Sequence, residues 1–187
     1  MDRIIKAFTF KTEVYKEVEG DPSFTTTAWL IVAVVSFVNS LGSLSFDNFV
    51  SSFLAAILNA VFAVVGFALA AYVINFVGKS VYKADVSFEE LVRTVGLAYV
   101  WQAVGFLGIL GSFSVALSCL VAPALFVGAI LFLVSAMLAA KEALDLEWMQ
   151  TIITVVIGWV VYIIIVAVAG FVVSLLGLGG AALFGLF

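Results

Sequence analysis

Residues 94–140 read TVGLAYVWQAVGFLGILGSFSVALSCLVAPALFVGAILFLVSAMLAA and contain no charged side chain. As one α-helix, these 47 residues would be about 70 Å long, more than twice the hydrocarbon thickness of a bilayer. Glycine and serine concentrate between Gly108 and Ser118, which favours a turn there. The stretch therefore predicts two membrane-spanning helices joined by a short turn.

The rest of the chain divides in the same way. Residues 22–46 and 48–78 are uncharged and predict one span each, and the uncharged residues 148–187 hold a good span from Ile152 to Leu176. The sequence GLGGAALFGLF from Gly177 predicts a short tail at the far interface; a second short span, six in all, is disfavoured by its glycines. The predicted spans cover about 27–45, 50–77, 90–110, 118–140 and 151–176.

Composition supports this all-α, five-span transmembrane bundle over residues 22–187, preceded by a cytoplasmic N-terminal segment over residues 1–21. Apolar residues make up 65% of the chain and charged residues 11%, against about 25% in soluble domains. The net charge is −4 and no basic stripe exists, so a nucleic-acid partner is not expected. A single cysteine and no histidine argue against a disulfide framework or a zinc site.

Lysine and arginine predict the orientation. With five spans, every basic residue falls on one side of the membrane, which the positive-inside rule identifies as the cytoplasm. The N-terminus is then cytoplasmic. The residues are Arg3, Lys6, Lys11, Lys16, Lys79, Lys83, Arg93 and Lys141.

The first segment, residues 2–19, has the pattern of one amphipathic helix. Such a helix lies either on the cytoplasmic membrane surface or against the bundle, and the pattern does not separate the two. Its apolar face holds Ile4, Ala7, Phe8, Val14, Tyr15 and Val18.

The segment before the third span contains a helix start. Ser87 followed by Glu90 has the spacing of a capping box, so we expect a helix from about Phe88. Glu90 and Arg93 are spaced to pair on the surface of that helix.

Polar residues within the spans are few. Asn59, Asn75 and Gln102 need hydrogen-bond partners inside the bundle, either as packing contacts between helices or as the lining of a polar path. Pro123 either starts the fourth span or kinks it. Cys119 is expected to be a small buried apolar residue.

No nucleophile–base pair, phosphate-binding loop or metal-binding set occurs, so we predict no catalytic site, no cofactor and no metal. Three quoted segments carry a family resemblance: YKEVEGDPS, SFEELVRTVGLAYVWQAVG and AKEALDLEWMQTIITVVIGWVV. Together with the order of the spans, they resemble the short prokaryotic members of the Yip family. The resemblance implies five spans and a cytoplasmic N-terminus. Eukaryotic relatives of this family bind Rab-type GTPases, but this chain lacks their long N-terminal region.

The prediction is a non-enzymatic Yip-like plasma-membrane protein that presents its cytoplasmic side to lipid or to a protein partner. A homo-oligomer is also possible in this view. The alternative is a small transporter, channel or permease component, with Asn59, Asn75 and Gln102 along its path. The candidate surface residues are Arg3, Lys6, Lys11, Tyr15, Lys79, Lys83 and Arg93.

Overall fold

The fold is all α-helical, as the sequence predicts. A computed structural model describes residues 2–178, and over these residues it contains seven α-helices, one 3-10 helix and no strand. The elements are α1 (Asp2–Phe8), α2 (Glu13–Glu19), α3 (Phe24–Leu41), α4 (Phe49–Tyr82), α5 (Phe88–Ala98), the 3-10 helix (Tyr99–Ser112), α6 (Val115–Leu144) and α7 (Trp148–Leu175).

Five segments among the described residues are long and apolar enough to cross a membrane: α3, α4, α5 with the 3-10 helix, α6 and α7. The predicted span count is confirmed, and the chain is a multi-pass membrane protein. The turn predicted between Gly108 and Ser118 lies at Phe113 and Ser114. The Ser114 hydroxyl accepts from the Leu117 amide and starts α6, so Pro123 lies inside the helix and does not begin it.

Residues 2–19 form two short helices where the sequence predicted one. Phe10 adopts a left-handed conformation, with φ of 53°, which no continuous right-handed helix allows. The Thr9 hydroxyl also donates back to the carbonyls of Ile5 and Lys6 and closes α1. We call residues 2–20 the N-terminal cap.

The N-terminal cap docks on the bundle and does not lie free on a membrane surface. Four of its apolar side chains are at most 1% exposed: Ala7, Val14, Tyr15 and Val18. They belong to the same buried cluster as residues of α3, α5 and α6. Of the two placements left open by the pattern, burial against the protein is therefore the observed one.

The third span is the centre of the bundle. Every residue from 91 to 100 is buried, and the span contacts α2, α3, α4 and α6. The expected capping box begins it, with the Ser87 amide donating to Glu90 over 2.7 Å and the Glu90 amide donating to Ser87 over 3.1 Å. Its second half, however, is a 3-10 helix and not the α-helix expected over 90–110.

At the C-terminal end, α7 stops at Leu175 and Gly177 follows with a positive φ of 65°. The predicted interfacial tail falls mostly on residues 179–187, which lie outside the described residues.

Candidate functional site

The end of the bundle that carries the loops after α4 and α6, together with the N-terminal cap, holds nearly all the charge. We call it the charged end. Arg93 lies at its centre and is 4% exposed. Its Nε donates to the carbonyls of Val18 over 3.0 Å and Glu19 over 3.1 Å. Nη2 also donates to Glu19, and Nη1 donates to the Thr25 hydroxyl over 3.1 Å.

These acceptors explain how an arginine is tolerated in the interior. The carbonyls of Val18 and Glu19 belong to the last turn of α2, where helix carbonyls carry partial negative charge. Arg93 of α5 therefore fixes α2 and the start of α3 at once. The pair predicted with Glu90 is wrong, because Glu90 is engaged in the capping box while Arg93 points into the protein.

Two further contacts fix the N-terminal cap. The hydroxyls of Tyr15 and Ser135, both fully buried, are 2.6 Å apart, which ties α2 to α6. Phe8 meets Trp101 edge-on with ring centroids 5.0 Å apart, and Phe10 stacks on the same ring at 5.3 Å. Trp101 is the third residue of the 3-10 helix, so the cap reaches the central span directly.

Two of the four basic residues of the N-terminal cap, Arg3 and Lys6, form ion pairs with nearby carboxylates. Arg3 contacts Glu17 at 2.9 Å and Asp21 at 2.8 Å, and Lys6 contacts Asp2 at 2.9 Å. Hydrogen bonds to Asp21 and Glu17 raise the pKa of Arg3, and the hydrogen bond and charge of Asp2 raise the pKa of Lys6. Their charge is therefore largely compensated before any partner arrives.

The predicted surface residues thus separate into three groups. Lys11, Lys79 and Lys83 are exposed. Arg3 and Lys6 are partly exposed and ion-paired. The other two, Tyr15 and Arg93, are corrections to the predicted surface, because Tyr15 is 0% and Arg93 4% exposed. Both side chains fix the N-terminal cap to the bundle through buried contacts.

The carboxyl group of Glu19 is affected by acidic residues of two other elements at the charged end. Burial raises the pKa of Glu19, and the negative charges of Asp145, Glu90 and Glu142 raise it further. Over the whole chain, eight basic and twelve acidic residues occur. All but Asp47 belong to the cap or to segments at the charged end, so this end has an excess of negative charge.

A second polar group lies inside the membrane-spanning region, between α3 and the 3-10 helix. The Ser36 hydroxyl donates to Tyr99 over 3.2 Å, and the hydroxyls of Tyr99 and Tyr162 are 3.1 Å apart. One turn further on, Asn39 donates to Gln102 over 3.4 Å. These contacts join the third span to both α3 and α7.

Beyond Gln102, glycines allow the two helices to touch. A Cβ on Gly108 would lie 2.8 Å from the carbonyl oxygen of Gly42, which directly follows α3, and one on Gly105 would overlap the side chain of Asn39. Neither position has room for a larger residue. We call the following residues the third-residue column: Tyr99, Gln102, Gly105, Gly108 and Gly111.

The spacing of the third-residue column explains the 3-10 helix. With 3.0 residues per turn, residues three apart lie directly above one another, whereas in an α-helix they drift by about 60°. The residues opposite, Ser36 and Asn39 of α3 and Gly42 at its C-terminal end, are also three apart. The repeat of three is present in the sequence, but it indicates a 3-10 helix only together with the matching residues opposite.

The three amides predicted to share a role do not converge. Asn75 donates to the carbonyl of Val86 over 3.0 Å and closes the loop between α4 and α5. Asn59 precedes it by 16 residues on α4, which is about 24 Å along a helix. Gln102 faces α3. This arrangement does not favour a common polar path for a solute.

The described residues contain no group of three or more potential metal ligands. Cys119 is exposed on α6 and not buried as expected, because it lies near the start of the helix on a face without protein neighbours. Over residues 2–178, the structure shows no nucleophile with a base beside it.

Comparison with known proteins gives one match. Neither the curated proteins nor the solved structures contain a match to the chain. A family model described as the Yip1 domain matches residues 5–170, which include most of the N-terminal cap, all of the third span and most of α7. With most of its length matched, this multi-pass membrane protein belongs to the Yip1 domain family.

Proposed function

We propose that this chain is a non-enzymatic membrane scaffold, of the membrane-organisation or trafficking type, which presents its charged end to a cytoplasmic protein partner. Its membership of a family that is not known as enzymatic supports the first half of the proposal. The docked N-terminal cap supports the second half, because it turns a short segment into a fixed surface.

The observation that carries the proposal is the charge of that surface. Arg3 and Lys6 form ion pairs with nearby acids, while negative charges of α5 and of the end of α6 act on Glu19. A net negative surface is repelled by anionic lipid headgroups, which attract polybasic segments instead. It complements a protein with a basic patch and speeds their encounter. We therefore favour a basic protein partner over the lipid surface.

We further propose the plasma membrane as the location, with the charged end in the cytoplasm. The distribution of lysine and arginine supports the orientation through the positive-inside rule. Labelling of outside loops on intact cells tests orientation and location together.

Photo-crosslinking in living cells tests the partner. A benzophenone amino acid replaces Glu13, which is exposed on α2, and in a matched control it replaces Val65, which is exposed on the membrane-spanning part of α4. We expect discrete protein adducts from position 13 that are absent from position 65. The captured protein should carry a basic surface.

A charge-reversed version makes the result specific. In the crosslinking background, Glu89→Lys and Glu147→Lys, both at exposed positions of the charged end, should reduce the adduct several-fold. Lys79→Glu, at an exposed basic position on the same end, should not reduce it. Lipid adducts alone from position 13, or adducts insensitive to these substitutions, would contradict the proposal.

A further inference from the structure

The 3-10 helix is long for its type. Runs beyond three or four residues are uncommon because the hydrogen-bond geometry is poorer than in an α-helix. This one has 14 residues, so something outside its own backbone must stabilise it. Three sets of contacts do so: the third-residue column from Tyr99 to Gly108 against α3 and its C-cap, residues of α6 such as Ser118 and Gly128, and the aromatic rings of the N-terminal cap against Trp101.

Conversion of this segment to an α-helix would change both its length and its faces. The rise per residue falls from about 2.0 Å to 1.5 Å, which shortens 14 residues by about 7 Å. Gly105 and Gly108, which face Asn39 and Gly42, would turn about 60° apart around the axis. The two glycines could then no longer face α3 together, and the match with Ser36, Asn39 and Gly42 would be lost.

The contact between the N-terminal cap and Trp101 lies where it can determine whether residues 99–112 form a 3-10 helix or an α-helix. Trp101 lies in the first turn of the 3-10 helix, where Phe8 and Phe10 cover its ring. Its Nε1 is buried and has no hydrogen-bond partner among the described residues. Release of the cap would open that N–H to an acceptor, so the unpaired group opposes docking while the ring contacts favour it. Phe10 lies in the linker between α1 and α2 and has a positive φ.

We propose that the 3-10 helix is a two-state segment that follows the N-terminal cap: docked, the cap holds residues 99–112 as a 3-10 helix, and released, it lets them become α-helical. A partner that lifts the cap would thereby shorten the central span and loosen its contact with α3. This inference rests on the proposed function for its trigger, but the structural coupling needs no partner to be measured.

Pulsed electron-spin distance measurements on the full chain in nanodiscs test the coupling. Spin labels at Glu89→Cys and Phe113→Cys, in a Cys119→Ser background, bracket the segment at two exposed positions. Phe8→Ala with Phe10→Ala removes the ring contacts, and Ala7→Asp places a charge at a fully buried position of the cap. Maleimide labelling of Val14→Cys, buried when the cap is docked, identifies which variant releases it.

In the released variant we expect the distance to shorten by about 7 Å, the difference between the two helix types. A label pair at Val115→Cys and Val134→Cys, both exposed on α6, should not change. Phe76→Ala, which removes an exposed ring of α4, should leave both distances unchanged.

A released cap with an unchanged 89–113 distance would overturn the inference, as would the same shortening in the Phe76→Ala control. Because no partner is present, either result leaves the crosslinking test of the proposed function untouched. Conversely, failure to capture a partner would not alter the measured distances.

Discussion

The guanidinium of Arg93 is held by two carbonyls and one hydroxyl, with no carboxylate in contact. Arg93→Met would leave the Glu19 carbonyl without its donor and remove a cation from the C-terminal end of α2. Hydrogen bonds to charged groups are worth about 1.5–3 kcal/mol, so we expect a loss of about 2 kcal/mol and release of the cap. Unfolding in mixed micelles and maleimide labelling of Val14→Cys measure the two effects.

Lys79→Met gives the matched control, because it removes an exposed cation from the same end. It should change the stability by less than about 0.5 kcal/mol. Equal effects of the two substitutions would mean that Arg93 acts only through net charge.

Glu19 gives a pH-dependent prediction. Its folded-state pKa is raised above the ordinary 4.5 by burial and by neighbouring carboxylates, so the ionised form destabilises the fold. Between the unfolded and the folded pKa the folded state binds more protons, and stability falls as the pH rises through that window. Glu19→Gln should therefore raise the melting temperature at neutral pH, and this advantage should vanish below pH 4.5. A constant advantage at every pH would contradict the assignment.

The role of a single residue could be predicted when its partner lies close to it in the sequence. Ser87 and Glu90 are three apart, and their capping box was read directly from the sequence. Arg93 donates to partners 68 to 75 positions away. Sequence spacing indicated only the nearby Glu90 as its partner. The predicted surface role is wrong for both Arg93 and Tyr15.

The contact between α3 and the 3-10 helix leads to a substitution test. Gly108→Ala would bring a Cβ to 2.8 Å from the backbone oxygen of Gly42. Backbone cannot move aside as a flexible side chain can, so the helices must separate. Such overpacking costs about 1–3 kcal/mol, which reversible unfolding in micelles would detect.

Gly20→Ala serves as the reference substitution. A Cβ there would have an ordinary contact at 3.9 Å from the Lys16 oxygen, and the Gly20 φ of −77° suits alanine. We expect no loss, or a gain of up to about 1 kcal/mol from the reduced freedom of the unfolded chain. If Gly108→Ala is equally harmless, the close approach to α3 is not needed.

The helical elements show where sequence reasoning succeeds. Uncharged runs gave the five spans and the turn near Ser114, because the bilayer admits few structures other than helices. Residues 2–19 are split into two helices by the positive φ of Phe10. The conformational preferences of phenylalanine do not predict that value. The 3-10 helix depends on the residues of α3 that face it. The repeat from Tyr99 to Gly111 therefore predicts a 3-10 helix only when Ser36 and Asn39 are known to lie opposite.

The chain as a whole predicts a labelling pattern. Five spans place the Asp47 and Phe113 turns opposite the charged end. In a Cys119→Ser background, a membrane-impermeant maleimide added to intact cells should label Asp47→Cys and Phe113→Cys. Lys83→Cys and Glu147→Cys should react only after the membrane is opened. All four positions are exposed, so a difference in labelling cannot come from burial within the protein. Labelling of Lys83→Cys on intact cells would reverse the orientation, and no labelling of the first two would exclude the plasma membrane.

The unequal lengths of neighbouring helices affect the surrounding lipid. Helix α3 has 18 residues and α4 has 34, so at 1.5 Å per residue they measure about 27 Å and 51 Å. The two helices therefore fit the hydrocarbon layer differently, and such mismatch is relieved by tilt or by local thinning or thickening of the bilayer, at a cost of fractions of a kcal/mol per Å. We predict that this elastic cost favours contact between copies of the chain in the membrane.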